Sequence, residues 1–205
     1  MNIEAPSVKK GRKHDQVIEG ATRVFLRDGF EGASVDDIAR EAQVSKATLY
    51  SYFADKRVLF MEVAQNECRR IAADTLDSID MSAPPRDVLL TACKTMMRFF
   101  YSDFGLAMFR IAVAESTRFP ELGRQFYCNG PLDGHEKIVF YLRHAVDKGD
   151  LVIGDIELAA FQLPQLCQAE LHEKLLFGLQ DSVSEDQIDR IANGAVDLFL
   201  ARYGA

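Results

Sequence analysis

Six residues in one short run carry most of the chemistry that residue type and spacing can reveal here. They are Lys46, Ala47, Thr48, Tyr50, Ser51 and Tyr52, within VSKATLYSYFADK. A lysine can donate to guanine or to phosphate, and alanine and the threonine methyl can touch a thymine methyl. The hydroxyls of threonine, serine and tyrosine can bind phosphate oxygens. Leu49 and Phe53 are the inward residues of the same two turns, which leaves the six on or near one outer face. Two tyrosines on so short a helix call for a partner, unless one of the rings packs on a core.

Other chemistries leave little trace. The chain has no GxGxxG, GxxxxGK[ST] or GxSxG run. His135-Glu136 and His172-Glu173 begin like HExxH, but Val139 and Leu176 stand where the second histidine belongs. Cys68, Cys93, Cys128 and Cys167 form no CxxC pair and have neither metal-ligand spacing nor the density of a disulfide scaffold. The expectation is reduced thiols, no metal, no cofactor and no enzyme.

Several elements must position that outer face. Ser34 is expected to cap a helix by accepting from the amide of Asp37, with Asp36 and Asp37 complementing the helix dipole and Ile38 and Ala39 inward. Gln43-Val44 makes a turn, and Ser45 caps the short helix Lys46 to Phe53. Before this pair, Val17, Ile18, Ala21, Val24 and Phe25 recur at helical spacing from Arg12 to Asp28. Gly29 is placed to stop that helix, and Phe30 to pack back on it. After the pair, Asp55 caps a helix that opens with Lys56-Arg57 and runs to about Ile79. Basic residues at a helix start oppose the dipole unless a phosphate joins them there. Two short helices about a four-residue turn are the pattern of a helix-turn-helix DNA reader.

The order of these parts (basic helix, Gly29-Phe30, SVDDIA, AQVSKATLYSYF, DKRVLF) resembles the TetR family of bacterial transcriptional regulators over roughly residues 12–62. The resemblance implies that the outer face of Lys46 to Tyr52 enters the major groove of double-stranded DNA. It also implies that Ser34, Tyr50, Tyr52 and Lys56 hold phosphates and that Lys46, Ala47 and Thr48 lie nearest the base edges. Ser51 is the weaker candidate for either role. Many members have glycine where this chain has Gln43 and Ala47. If the turn is left-handed at Gln43, glutamine costs about 1 kcal/mol there.

Charge is divided along the chain. The net charge is −7, but residues 1–70 hold 12 Lys/Arg against 11 Asp/Glu, and the remaining 12 Lys/Arg face 20 Asp/Glu. Only the first third has a balance that suits a polyanion. The apolar fraction of 48% is that of a soluble globular protein. The basic N-terminus has no apolar signal-peptide core, and no stretch is long enough to span a bilayer. The expected compartment is the cytoplasm, with no membrane partner.

Residues 66–205 read as helices throughout, with breaks at Pro84-Pro85, Phe119-Pro120, Asn129-Gly130-Pro131, Gly149 and Gly178. One long helix is expected from Asp155 to about Phe177, kinked at Pro164, and a last one from a Ser184–Gln187 capping box to Tyr203. The segment AVAESTRFPELGRQFYCNG, followed by a helix and GDLVIGDIELAAFQL, resembles the C-terminal domain of the AefR-like branch of the same family. Neighbours such as Phe99, Phe100 and Tyr101 cannot all face one core, since successive helical residues point about 100° apart. A mostly apolar effector pocket is therefore expected, lined by Met97, Phe100, Phe104, Met108, Tyr127, Phe140, His144 and Phe161, with His144, Glu115, Arg110 and Gln162 as the polar candidates. A plain core is the alternative. The last two long helices have broad apolar faces, and the resemblance implies that they pack against their copies in a homodimer. Leu163, Leu166, Leu171, Ile191, Ala195 and Leu198 are the candidate contacts.

The sequence is thus read as all-α. A flexible basic arm (1–11) precedes a three-helix helix-turn-helix domain (12–65), joined by a linking helix to a helical ligand-binding and dimerisation domain (66–205). The expected function is a homodimeric DNA-binding regulator, a repressor released from a pseudo-palindromic operator by a small apolar or aromatic molecule. The alternative is a DNA-binding regulator with no such ligand, whose second domain only dimerises or docks a protein.

Overall fold

The computed structural model describes residues 11–78 and 80–205, with side chains described outside 68–78. The expected basic arm therefore lies outside the described residues except for Gly11, and so does the expected helix end at Ile79. Eleven α-helices and one π-helical turn follow in order among the described residues. Their only β-pairing is an isolated bridge between Leu151 and Gly204.

Helix α1 (Arg12–Gly32) buries Val17, Ile18, Ala21, Val24 and Phe25 along one face and leaves helical geometry at Gly29, where φ is 70°. A left-handed residue of this kind favours glycine. It turns Phe30 back into the core, where Phe25, Phe30 and Phe60 form a triangle with centroids 5.4–6.0 Å apart. Helix α2 (Val35–Glu41) starts at Ser34, whose hydroxyl accepts from Asp37 N at 3.0 Å. Helix α3 (Lys46–Tyr52) starts at Ser45, which accepts from Thr48 N at 3.0 Å. Gln43, in the turn between them, has φ 55°. At Gly20 a side chain would meet the backbone and methyl group of Ala42 at 2.8 Å, so the main chain of α1 lies directly against the end of α2.

Helix α4 (Lys56–Ser78) leads away from this head. Helices α5 (Pro85–Phe100), α6 (Asp103–Ser116) and α7 (Pro120–Tyr127) follow. The turn expected at Asn129-Gly130-Pro131 is absent. A π-helical turn, Cys128–Leu132, carries α7 directly into α8 (Asp133–Asp147). Pro131 has no amide donor, and the wider π turn accommodates that gap without ending the helix.

The single helix expected over 155–177 is also overturned. Helix α9 (Ile156–Leu166) ends two residues after Pro164, and α10 (Leu171–Leu176) begins after Glu170, whose φ is 69°. Pro164 lies inside α9, and the expected continuation stops beyond it, before the left-handed residue Glu170. The Glu170 carboxylate pairs with Lys174 and Arg190. The last helix, α11 (Glu185–Tyr203), opens on the expected capping box, Ser184 with Gln187.

Two apolar clusters organise the molecule. One gathers α5, α8, α9, α10 and α11 around residues such as Leu89, Met97, Leu142, Leu163 and Phe199. The other joins the core of α1–α4 to Met108 and Ala112 of α6 and Leu122 of α7, with Phe104, Ile111, Phe119 and Phe126 packed against it. Helices α6 and α7 thus share a core with the head, although they lie beyond residue 66. No helix among the described residues is long and apolar enough to cross a membrane.

Candidate nucleic-acid interface and effector region

Helix α3 is amphipathic over two turns. Leu49 is fully buried and Phe53 is 3% exposed, and they anchor it in the core of the head. Its outer side carries Lys46, Ala47, Tyr50 and Ser51, all exposed, with Thr48 half-buried. Tyr50 is 51% exposed. Tyr52 behaves differently. It is half-buried, and its ring meets the buried imidazole of His14 edge-on at 5.6 Å. His14 also lies 5.3 Å from the ring of Phe53, so the first turn of α1 seats the end of α3. The sequence reading missed this histidine, which is polar and lies in a basic run.

Many polar groups of the head are already engaged. Ser34 caps α2 and also donates to Asp37, which holds that carboxyl below its ordinary range. Lys46 is ion-paired with Asp36, Arg23 with Glu41 and Arg40 with Asp37. The hydroxyls of Ser45 and Thr48 are 2.8 Å apart, and Ser51 donates to Thr48 O at 2.6 Å. Asp55 caps α4 by accepting from the amides of Arg57 at 2.8 Å and Val58 at 3.0 Å. Hydrogen bonding from the Arg57 guanidinium, then from those amides, lowers the pKa of Asp55.

Lys56 departs from its expected place. Its ammonium turns inward, donates to Phe30 O at 2.6 Å and Ala33 O at 3.1 Å, and sits 4.4 Å from the centroid of the Phe30 ring. These carbonyls belong to the end of α1, where helical bonding runs out. Lys56 therefore closes α1, and a phosphate would have to share it with two carbonyls.

The expected effector residues are divided between the two apolar clusters and the surface. Met97 and Phe100 belong to the α5–α11 cluster, while Met108 and Phe104 pack in the head cluster. Tyr127 and Phe140 are 47% and 70% exposed. His144 is exposed as well. Phe161 lies at the surface, stacked on His135 at 3.8 Å. Glu115, on the head-facing side of α6, is buried, and its Oε2 has no hydrogen-bond partner. Among the described residues no group of three or more His, Cys, Asp or Glu could hold a metal ion.

The expected dimer residues divide in two. Leu163, Leu171, Ile191 and Ala195 are buried in the chain's own core. Leu198 is 63% exposed, and Leu166 is half-buried. Between α9 and α11 runs an open groove of about 570 Å³, with Leu158, Phe161, Leu166, Leu198 and Phe199 among its lining residues. Tyr203 bridges it by donating to Gln162 Oε1 at 2.7 Å.

A helix-turn-helix head on a helical body is the class of a bacterial transcriptional regulator. The family profile for bacterial regulatory proteins of the tetR family matches residues 17–63, and that for the AefR-like transcriptional repressor C-terminal domain matches residues 87–205. The chain belongs to the TetR family. The solved structure of a TetR-family regulator from Mesorhizobium loti superposes with a TM-score of 0.88 at 25% identity, covering 97% of this chain and 100% of that one. The flavonoid-responsive regulator FrrA superposes with a TM-score of 0.76 at 33% identity, covering 95% and 98%. The transcriptional activator FasR of Mycolicibacterium smegmatis is 27% identical over 102 residues, 50% of this chain and 47% of FasR. The matched segments span about half the length or less of the curated relatives.

Proposed function

We propose that this chain is a two-fold homodimeric repressor whose α3 helices enter successive major grooves of a pseudo-palindromic operator. The observation that carries the reading is Tyr50. It is half-exposed, on a helix whose opposite face is anchored in the core, and Lys46, Ala47 and Ser51 flank it. Tyr50, Ser34 and Tyr52 contact phosphates in this reading, and Lys46, Ala47 and Thr48 face base edges, with Ser51 beside them. Lys46 exchanges Asp36 for DNA on binding. The exposed apolar face of α9 and α11 supports pairing with a second copy, and Leu198 and Leu166 are its contacts. The domain division is a head (12–65) and a helical body (66–205) that holds the effector and the dimer face.

The effector in this reading is a small hydroxylated aromatic molecule. Its class is supported by similarity to FrrA, which is described as flavonoid-responsive. Glu115 supplies the polar contact, since a buried acceptor without a donor is costly and a ligand hydroxyl would satisfy it. The ligand acts only through its different affinity for two arrangements of the dimer. A second reading, with no effector, is favoured by the scatter of the expected pocket residues over two cores and the surface.

The experiment is selection of genomic fragments by the purified protein, followed by challenge with 5,7-dihydroxyflavone and with unsubstituted flavone. Paired half-sites released by the hydroxylated compound support the effector reading. Paired half-sites retained under both compounds, with no melting shift, favour the second. In either case Tyr50→Ala should lower operator affinity about tenfold to a hundredfold without lowering Tm; unchanged affinity removes Tyr50 from the interface.

A further inference from the structure

Phe119 stands at the corner between α6 and α7, and its main chain is tied to both. Its amide donates to Glu115 O at 2.7 Å, and its carbonyl accepts from Leu122 N at 3.0 Å. Its ring is half-buried against the head cluster. Two guanidiniums lie against that ring, Arg57 at 4.6 Å and Arg118 at 5.0 Å from the centroid. Arg57 belongs to the first turn of α4 and is fastened to Asp55. Arg118 reaches back to Glu31 at the end of α1, at 3.2 Å. The exposed ion pair contributes little by itself. The ring with its two cations, backed by Met108, Ala112 and Leu122, is the more substantial contact.

The position of this joint gives it consequences. Arg57 follows Lys56, whose ammonium closes the end of α1, and it stands four residues after Phe53, which anchors α3. A shift of the Phe119 ring therefore acts on the start of α4 and on the seat of α3. On its other side α6 is tied to α10, where Arg110 donates to Leu175 O and Phe109 meets His172 at 5.5 Å. The corner thus lies between α10, the short helix that follows α9, and the first turn of α4, which follows the helix that carries the outer polar face.

We infer that Phe119 is a positioning residue for DNA reading: its ring, held by Arg57 and Arg118, locks the head to the α6–α7 hairpin and thereby sets the half-site spacing the dimer accepts. The inference rests on the two-fold regulator reading above and goes beyond it, because that reading places α3 in the groove without saying what fixes the distance between two copies. Loss of the ring leaves α3 and its outer face intact but frees the angle at which each head is carried.

The test selects random-sequence DNA with the full chain as wild type, Phe119→Ala and Phe119→Trp, then measures affinity on the selected sites. Wild type should return one dominant spacing. Phe119→Ala should return the same half-sites over several neighbouring spacings, with binding to the wild-type spacing weakened about tenfold. Phe119→Trp, which keeps a ring for both cations, should restore the single spacing. One unchanged spacing at unchanged affinity for Phe119→Ala overturns the inference. Loss of the half-site sequence itself also overturns it, because the ring would then be supporting the fold of the head. If wild type selects no paired half-sites, the two-fold regulator reading fails instead. The lock is then judged by hydrogen exchange on the free protein. Faster exchange in Phe119→Ala at 55–60 and 118–127, with 35–52 unchanged, supports it, and no change in any of the three overturns it.

Discussion

The head and the α9–α11 face both leave large side chains in solvent, but in different company. In the head the exposed ring is Tyr50, set among a lysine, an alanine and a serine, with carboxylates close behind. On α9 and α11 the exposed groups are Leu158, Phe161 and Leu198, with glutamines and Arg202 at the margin of a groove. The first surface is suited to a hydrated, charged partner and the second to a dry one. Each surface is mounted on helices whose other sides are buried, so both can be altered with limited damage, provided the residue chosen faces outward.

The largest effect expected separates inward from outward on one helix. Ile191→Asp places a charge in the core and should cost at least about 3 kcal/mol, unfolding the chain or lowering its Tm sharply. Leu198→Asp, about two turns further along, should leave a folded chain that sediments as a monomer. A folded dimer with Leu198→Asp would move the interface away from this groove.

Lys56 gives an intermediate effect and tests where the head ends and the DNA surface begins. Lys56→Ala removes a charged donor from two carbonyls and should destabilise the head by about 2 kcal/mol, read by denaturant unfolding. The salt dependence of DNA binding should keep its slope. A slope reduced by about one unit, with stability unchanged, would make Lys56 a phosphate contact after all.

The smallest effect lies in the turn. Gln43 has φ 55°, so Gln43→Gly should stabilise the protein by about 1 kcal/mol and leave DNA affinity unaltered. A loss of affinity would show that the glutamine side chain, which is exposed, takes part in recognition.

The same contrast explains what could be read from residues alone. The head is built from short helices, each opened by a side-chain cap, and Ser34, Ser45 and Asp55 announce these within three residues of the amides they serve. The left-handed turn at Gln43 and the stop at Gly29 are equally local. In the body the informative contacts are distant. Leu163, Leu171 and Leu175 keep a helical period across the break at 167–170, so the apolar pattern gives no warning that α9 ends. In α11, Ile191 and Leu198 are about two turns apart on nearly the same side, and periodicity cannot tell that the first is buried and the second is exposed. Arg57 and Phe119 are separated by more than sixty positions, and neither has a local reason to seek the other. His14 is a further case, because nothing around it in sequence points to Tyr52.

The contact between Gly20 and Ala42 bears on how such a protein can diversify. Because α1 presents no side chain there, the depth at which α2 lies on α1 is set by Gly20 against the backbone and methyl group of Ala42. On the α1 side of this contact no side chain acts as a spacer whose replacement would raise or lower the reading helix. Substitutions on the outer side of α3 can therefore accumulate without retuning its height, and new sequence preferences can be explored on a mount whose dimensions stay constant. The exception is position 20 itself, where even a methyl group would pry the two helices apart.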